Sequence, residues 1–353
     1  MPLEFPSPPN VDSQSSVCPK CDAAGTGCLL DLRKNPVRGR KTTFRIAQDN
    51  LIACAFSDFV PGCEGDPDTS RSFEFYRSQA KANFERAGQV NFDGSDGAKP
   101  FRPKDISGPA WGKVAGDMYE ILEAAALWNA AAAWNQYMDS GVWPTDTSFE
   151  KPEGAIATPL RKIAIVKLPR GYDSTKLLTP AARASYEAFQ LALNKKGMQL
   201  KLSSPDIVGL RIPEPAPAGY KPFLTSLDNL KSENLKKLST AHSNIEGTIE
   251  GRNFLFAIAV KTSSRSDRLY QPLFEANVLK FLVSYVLKGS MLKFHVHQES
   301  FEGANVTGAY TAASLSSLML GGSFERAVDN LYKSEFPKQT AQEILDSLTE
   351  YAI

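Results

Sequence analysis

Lys261 closes the apolar run "NFLFAIAVK" at 253–261, and Glu275 follows fourteen residues later within "RSDRLYQPLFEANVLKF". Alternation along the run puts Phe254, Phe256, Ile258 and Val260 on one face and Leu255, Ala257, Ala259 and Lys261 on the other. Lys261 therefore sits beside small side chains, on the face with room for another group. A lysine at a strand end is by itself ordinary surface. Glu275 lies seven residues after Arg268, close to two helical turns, so both point to one side of the following helix. Asp206, after Pro205, begins another strand, where a carboxylate can hold a hard divalent cation. "PD" alone is a common turn. Taken together, the three side chains match the needs of phosphodiester hydrolysis. Carboxylates hold a metal, the metal polarises the phosphate and acidifies a water, and the ammonium stabilises the charge that develops. "RSDR" adds the groups for reading DNA: arginine can donate twice to guanine O6 and N7, and aspartate can accept from cytosine N4.

These groups need rigid elements to carry them. Apolar residues recur at three and four through "KVAGDMYEILEAAALWNAAAAWNQYM" (113–138), the clearest helix, whose alanine-rich surface predicts a central, closely packed position. "RKIAIVKLP" (161–169), "PDIVGLRI" (205–212), "NFLFAIAVK" (253–261) and "MLKFHVHQ" (291–298) read as strands. Helices are predicted at 44–59, about 70–87, 179–197 (closed by Gly197), 267–288, 310–333 and 338–350. "PEPAPAGYKP" (213–222) reads as a surface connection. Strands alternating with helices indicate an α/β fold with a central mixed β-sheet flanked by helices.

At 353 residues, 42% hydrophobic and 22% charged, the composition is that of an ordinary globular chain with a sizeable core. The longest apolar runs fall far short of the ~20 residues of a membrane span, and the start lacks a signal pattern, so a cytoplasmic protein is expected. A net charge of +1 excludes coating of nucleic acid through bulk charge. A local patch remains: "RKNPVRGRKTTFR" (33–45) has six basic residues and no acidic one. All five cysteines fall within the first 63 residues. "CPKC" at Cys18 and Cys21 has zinc-knuckle spacing, yet a structural zinc would need two more ligands from Cys28, Cys54 and Cys63. Free thiols are the favoured reading.

The sequence resembles the PD-(D/E)xK type II restriction endonucleases of the CCGG-recognising family, and within it the rare-cutting branch. The matching segments are "DLRKNPVRGRKTTFRIAQDN", "KVAGDMYEILEAAALWNAAAAWN", "SPDIVGL", "AVKTSSRSDRLYQPLFEANV" and "YTAASL", spread over residues 31–315. "SPDIVGL" is weak alone; the fourth segment is highly specific. Most PD-(D/E)xK enzymes carry an acidic residue two before the lysine, where this chain has Ala259. The CCGG family moves that carboxylate to the next helix, which implies Glu275. Periodicity leaves Asp117, Glu120 and Glu123 open as the acidic group of the long helix, and the resemblance implies Glu120. It also implies that Asp206, Glu275 and Glu120 hold magnesium in a two-metal type of site, with Lys261 completing the catalytic set. Arg265, Asp267 and Arg268 would read the core. Arg40 and Lys113 would contact outer pairs, giving a site of about eight base pairs such as CRCCGGYG, cut to leave 5′ extensions.

The resemblance further implies a homodimer on palindromic duplex DNA, or a tetramer or higher assembly, and a cognate DNA methyltransferase as genetic partner. The domains expected are an arm at 1–28, a helical and loop region at 29–110 that adds DNA contacts, and a nuclease core at 111–353. Two alternatives stand beside this reading. One is a PD-(D/E)xK nuclease of looser specificity, against which "RSDR" argues. The other is a DNA-binding protein that no longer cuts.

Overall fold

The computed structural model describes residues 32–35, 43–46, 71–78 and 108–351, the last with short gaps at 203, 231, 263–265, 291, 300–305, 321–323 and 334. The cysteines, Arg40, Arg265 and most of the expected arm and loop region lie outside these residues. The chain divides into two units, one holding residues 1–66, 73–118 and 229–232, the other 67–72, 119–228 and 233–353.

In the first unit, β1 (Leu32–Asn35) pairs antiparallel with β2 (Thr43–Ile46), Arg33 opposite Arg45 and Lys34 opposite Phe44. The helix expected over 44–59 is therefore corrected at its start: Phe44–Ile46 is strand. β-branched Thr43 and Ile46 with aromatic Phe44 suit a paired ribbon. The rest of that expectation lies outside the described residues. Residues 73–78 are helical, within the short helix expected near there.

The long helix α1 (Gly108–Ser140) crosses the boundary between the units. In the second unit follow β3 (Ile163–Lys167), α2 (Pro180–Asn194), β4 (Ile207–Arg211), α3 (Ser232–Thr240), β5 (Phe254–Lys261), α4 (Ser266–Phe281) and β6 (Lys293–Gln298). The last elements are α5 (Val306–Ala309), α6 (Leu315–Leu320), β7 (Asn330–Lys333) and α7 (Pro337–Ser347). The sheet runs β3-β4-β5-β6-β7. Only β4 is antiparallel to its neighbours, so β3, β5, β6 and β7 run one way. The C-terminal ends of these four strands thus share one sheet edge with the start of β4. Parallel neighbours need a crossover, and α4 supplies it between β5 and β6.

Residues 310–333 do not form the predicted helix. They hold the short α6 and a fifth strand, β7, and Ala313 before α6 bridges Arg326 after it. A four-residue strand shows too little of its period to be read from sequence. The predicted fold class holds: a mixed five-stranded sheet with helices on its faces. Among the described residues no helix is long and apolar enough to cross a membrane.

The alanines of α1 let it lie close, as expected: Ala124, Ala125, Ala126, Ala130 and Ala131 are buried. Two buried asparagines fix its register. Asn135 exchanges two 2.7 Å hydrogen bonds with the backbone of Ile163, taking the place of a strand partner at the start of β3. Asn129 does the same for Leu227, accepting from its N–H at 2.6 Å and donating to its carbonyl at 3.1 Å. Helix α4 is anchored at its far end by Lys280, buried, whose ammonium lies 2.6 Å from Asp329 and donates to the Arg326 carbonyl.

Candidate active site

The shared sheet edge collects the residues with chemistry. β3 and β5 end in the same pattern, "IAIVK" and "AIAVK", and both flank β4, so Lys167 and Lys261 stand on either side of Asp206. The Asp206 carbonyl accepts from Leu168 N–H at 2.9 Å, and its own N–H donates to the Ile258 carbonyl, so the residue belongs to the sheet before β4 formally begins. Its carboxylate accepts from the Val260 N–H at 2.7 Å and from Lys261 Nζ at 3.0 Å. Both side chains are largely shielded, Lys261 14% and Asp206 22% exposed.

Alternation decides which face each group serves. Ala257, Ala259 and Lys261 lie on the face against α4, where Ala257 shares a small apolar gap with Leu279, Leu282 and Val283. Glu275 of α4 is buried and accepts from Gln271 Nε2 at 2.8 Å. Its charge reaches Lys261. Burial would lower the affinity of Lys261 for its proton, but Asp206, Glu275 and Glu120 outweigh that, and the ammonium is held above the ordinary lysine value. Ala259 is fully buried, with no acid on the strand at that place. Tyr310, in the "YTAASL" segment, also feels Glu275: burial first, then that carboxylate, push its phenol up.

Helix α1 covers the opposite face. Glu120 projects near the edge and accepts from Lys167 Nζ at 3.3 Å. One turn on, Glu123 is fully buried and meets His297 Nδ1 at 2.8 Å, deep under β6. Of the three acids that periodicity left open, Glu123 is committed to this internal pair, while Glu120 stands within electrostatic reach of Lys261. Removing one member strands a buried polar group. Glu123→Ala or His297→Ala should each destabilise the fold by about 3 kcal/mol, read from urea unfolding, and a loss below about 1 kcal/mol would contradict the packing described.

Asp206, Lys261, Glu275 and Glu120 therefore gather at one edge. Asp267 and Arg268 lie in the first turn of α4, next to that edge in the chain. Lys113 lies in α1, within the other unit. Sequence reading passed over Lys167 and His297. The repeated strand-end lysine was a usable signal for the first; nothing marked the second. Among the described residues no three carboxylates, imidazoles or thiols already stand close enough to share one metal ion. The donor set is nevertheless hard oxygen, the chemistry magnesium takes.

A mixed sheet of this order, with helices on both faces, has the fold of a restriction endonuclease. The profile of the Cfr10I/Bse634I restriction endonuclease family matches residues 110–350, and the chain belongs to that family as a type II site-specific deoxyribonuclease. Among solved structures it is similar to the type IIF restriction endonuclease Bse634I with cognate DNA, at TM-score 0.64 and 18% identity, over 91% of this chain and 99% of that one. A second Bse634I structure is similar at TM-score 0.64 and 18% identity, over 91% and 98% of the two chains. No curated protein sequence matches the chain.

Proposed function

We propose that the enzyme cuts both strands of duplex DNA at a palindrome with a CCGG core, by magnesium-dependent phosphodiester hydrolysis that leaves 5′ extensions. The observation that carries this reading is the Lys261–Asp206 pair at the sheet edge, with Glu275 reaching the lysine from α4 where Ala259 offers no acid. Asp206, Glu275 and Glu120 are the residues to hold the metal. When bound, magnesium polarises the phosphate and makes a water more acidic. Lys261, held protonated by its carboxylate neighbours, places a fixed positive charge where negative charge develops on the phosphate oxygens. The Val260 N–H and the sheet hold Asp206 in place, so this carboxylate is positioned before substrate arrives.

Recognition falls to the segment that runs from the end of β5 into the first turn of α4. Arg265, Asp267 and Arg268 read the CCGG core, and their position directly after Lys261 couples reading to cutting. Arg40 and Lys113 read outer pairs, which makes the protein a rare cutter similar to SgrAI, with an extended site such as CRCCGGYG. The ribbon of β1 and β2, with Arg33 opposite Arg45, suits phosphate contact. Residues 111–353 form the nuclease core and the preceding region adds contacts. A palindrome requires a homodimer, one active site per strand. The structure of Bse634I with cognate DNA supports DNA as the partner here, and a cognate methyltransferase would protect the host sites. Digesting a plasmid with the purified protein, with Mg²⁺ or with chelator, and sequencing the ends tests the proposal directly. Ends lacking CCGG, or cutting that ignores the chelator, would overturn it.

Arg265→Ala and Arg268→Ala should each weaken binding to CCGG-containing DNA by about 1 to 3 kcal/mol, far more than binding to unrelated DNA. Arg33→Ala and Arg45→Ala should instead weaken binding to all sequences alike and flatten its salt dependence. A binding selection over randomised flanks examines Arg40 and Lys113, and unchanged flank preference in both variants would remove them from the set of reading residues.

A further inference from the structure

Three acidic side chains and two lysines meet at the sheet edge, but the two faces of the sheet divide them. Asp206 and Lys261 pair on the face of α4, where Glu275 joins them; Glu120 and Lys167 pair on the face of α1. The second pair is largely shielded, Lys167 15% and Glu120 17% exposed, and Lys167 is held by the ladder beside Ile207, the residue after Asp206. Glu120 must serve as a metal ligand in the proposed reaction, yet its carboxylate is occupied by a lysine of this chain.

We propose that Lys167 is a positioning residue that acts through Glu120: it keeps that carboxylate at the edge as its counter-ion and competes with the divalent cation for it. The physical reason is charge balance. Without a metal, Asp206, Glu275 and Glu120 would repel one another around a single ammonium, and a second lysine offsets this. When a cation enters, Glu120 exchanges the Lys167 ammonium for the metal, so the cost of breaking the pair is set against metal affinity. The ion pair thus tunes the metal concentration at which the site fills. The Val-Lys ending shared by β3 and β5 places this lysine without any further device: two strands that run the same way on either side of β4 both end near its start.

This inference rests on the proposed metal-dependent cutting, and its test is separable from that reading. Mn²⁺ binding to the whole protein, followed by electron paramagnetic resonance of the free ion, reads metal affinity without turnover. Lys167→Met should bind Mn²⁺ about three- to tenfold tighter than the wild type, and Lys167→Arg about as the wild type does. On a Glu120→Gln background the effect of Lys167→Met should vanish, because the competition acts through that carboxylate. Thermal unfolding of each variant confirms that the folded protein is compared. Affinity in Lys167→Met that is unchanged within twofold, or weaker, overturns the proposal, as does an effect that persists undiminished on the Glu120→Gln background. If the wild type fails to cut CCGG-containing DNA with Mg²⁺, the broader reading falls instead. The Mn²⁺ comparison still decides whether Lys167 competes for the site.

Discussion

Lys261→Ala should slow cleavage of a specific DNA on the order of a thousandfold, and Asp206→Ala at least as much, while specific binding stays measurable. The effect is large because the pair is the electrostatic centre of the edge. Lys261 supplies the fixed positive charge, and Asp206 is the carboxylate held both by that ammonium and by the Val260 N–H. The proposed base contacts lie on the following segment and would be left intact. The fold should tolerate Lys261→Ala, since Asp206 keeps its backbone donor and stays partly exposed to water. Single-turnover cleavage beside a binding assay in Ca²⁺ separates the two quantities. Cleavage within a few-fold of wild type in either variant would sink the assignment.

Glu275→Ala should cost about a hundredfold or more in cleavage, because it removes the carboxylate proposed to stand in for the missing acid at Ala259. Lys261 keeps Asp206 as its partner, and Gln271, which donates to Glu275, is solvent-exposed, so the folded state should survive. Activity can then be interpreted as chemistry. Adding Ala259→Glu on that background is the more demanding test: the strand position is fully buried, and the new carboxylate must reach the same metal to restore part of the rate. An active Glu275→Ala single variant would contradict the idea that the carboxylate has moved from strand to helix.

Local sequence determined much of this protein. The alanine-rich run of α1, the apolar runs of β3 to β6 and the helix after "RSDR" each carry their own period over enough residues to be read without a fold. Asp206, Lys261 and Glu275 could be named because each sits at the end or on one face of such an element. The tertiary structure decided what periodicity could not. β7 is four residues long, and strand Thr43–Ile46 adjoins residues with helical spacing; both depend on a partner strand outside their own segment. Among Asp117, Glu120 and Glu123 the resemblance implied Glu120, and the fold separates Glu120 from Glu123 by position. Glu123 is aimed beneath β6 at His297, whereas Glu120, one turn earlier, emerges at the edge beside Lys167. A helix repeats every 3.6 residues, so side chains three apart share a broad face, and only the sheet packed against that face distinguishes core from site. The same holds for Lys167. Its role follows from a strand order in which β3 and β5 run the same way around β4, and that order is a property of the folded sheet alone.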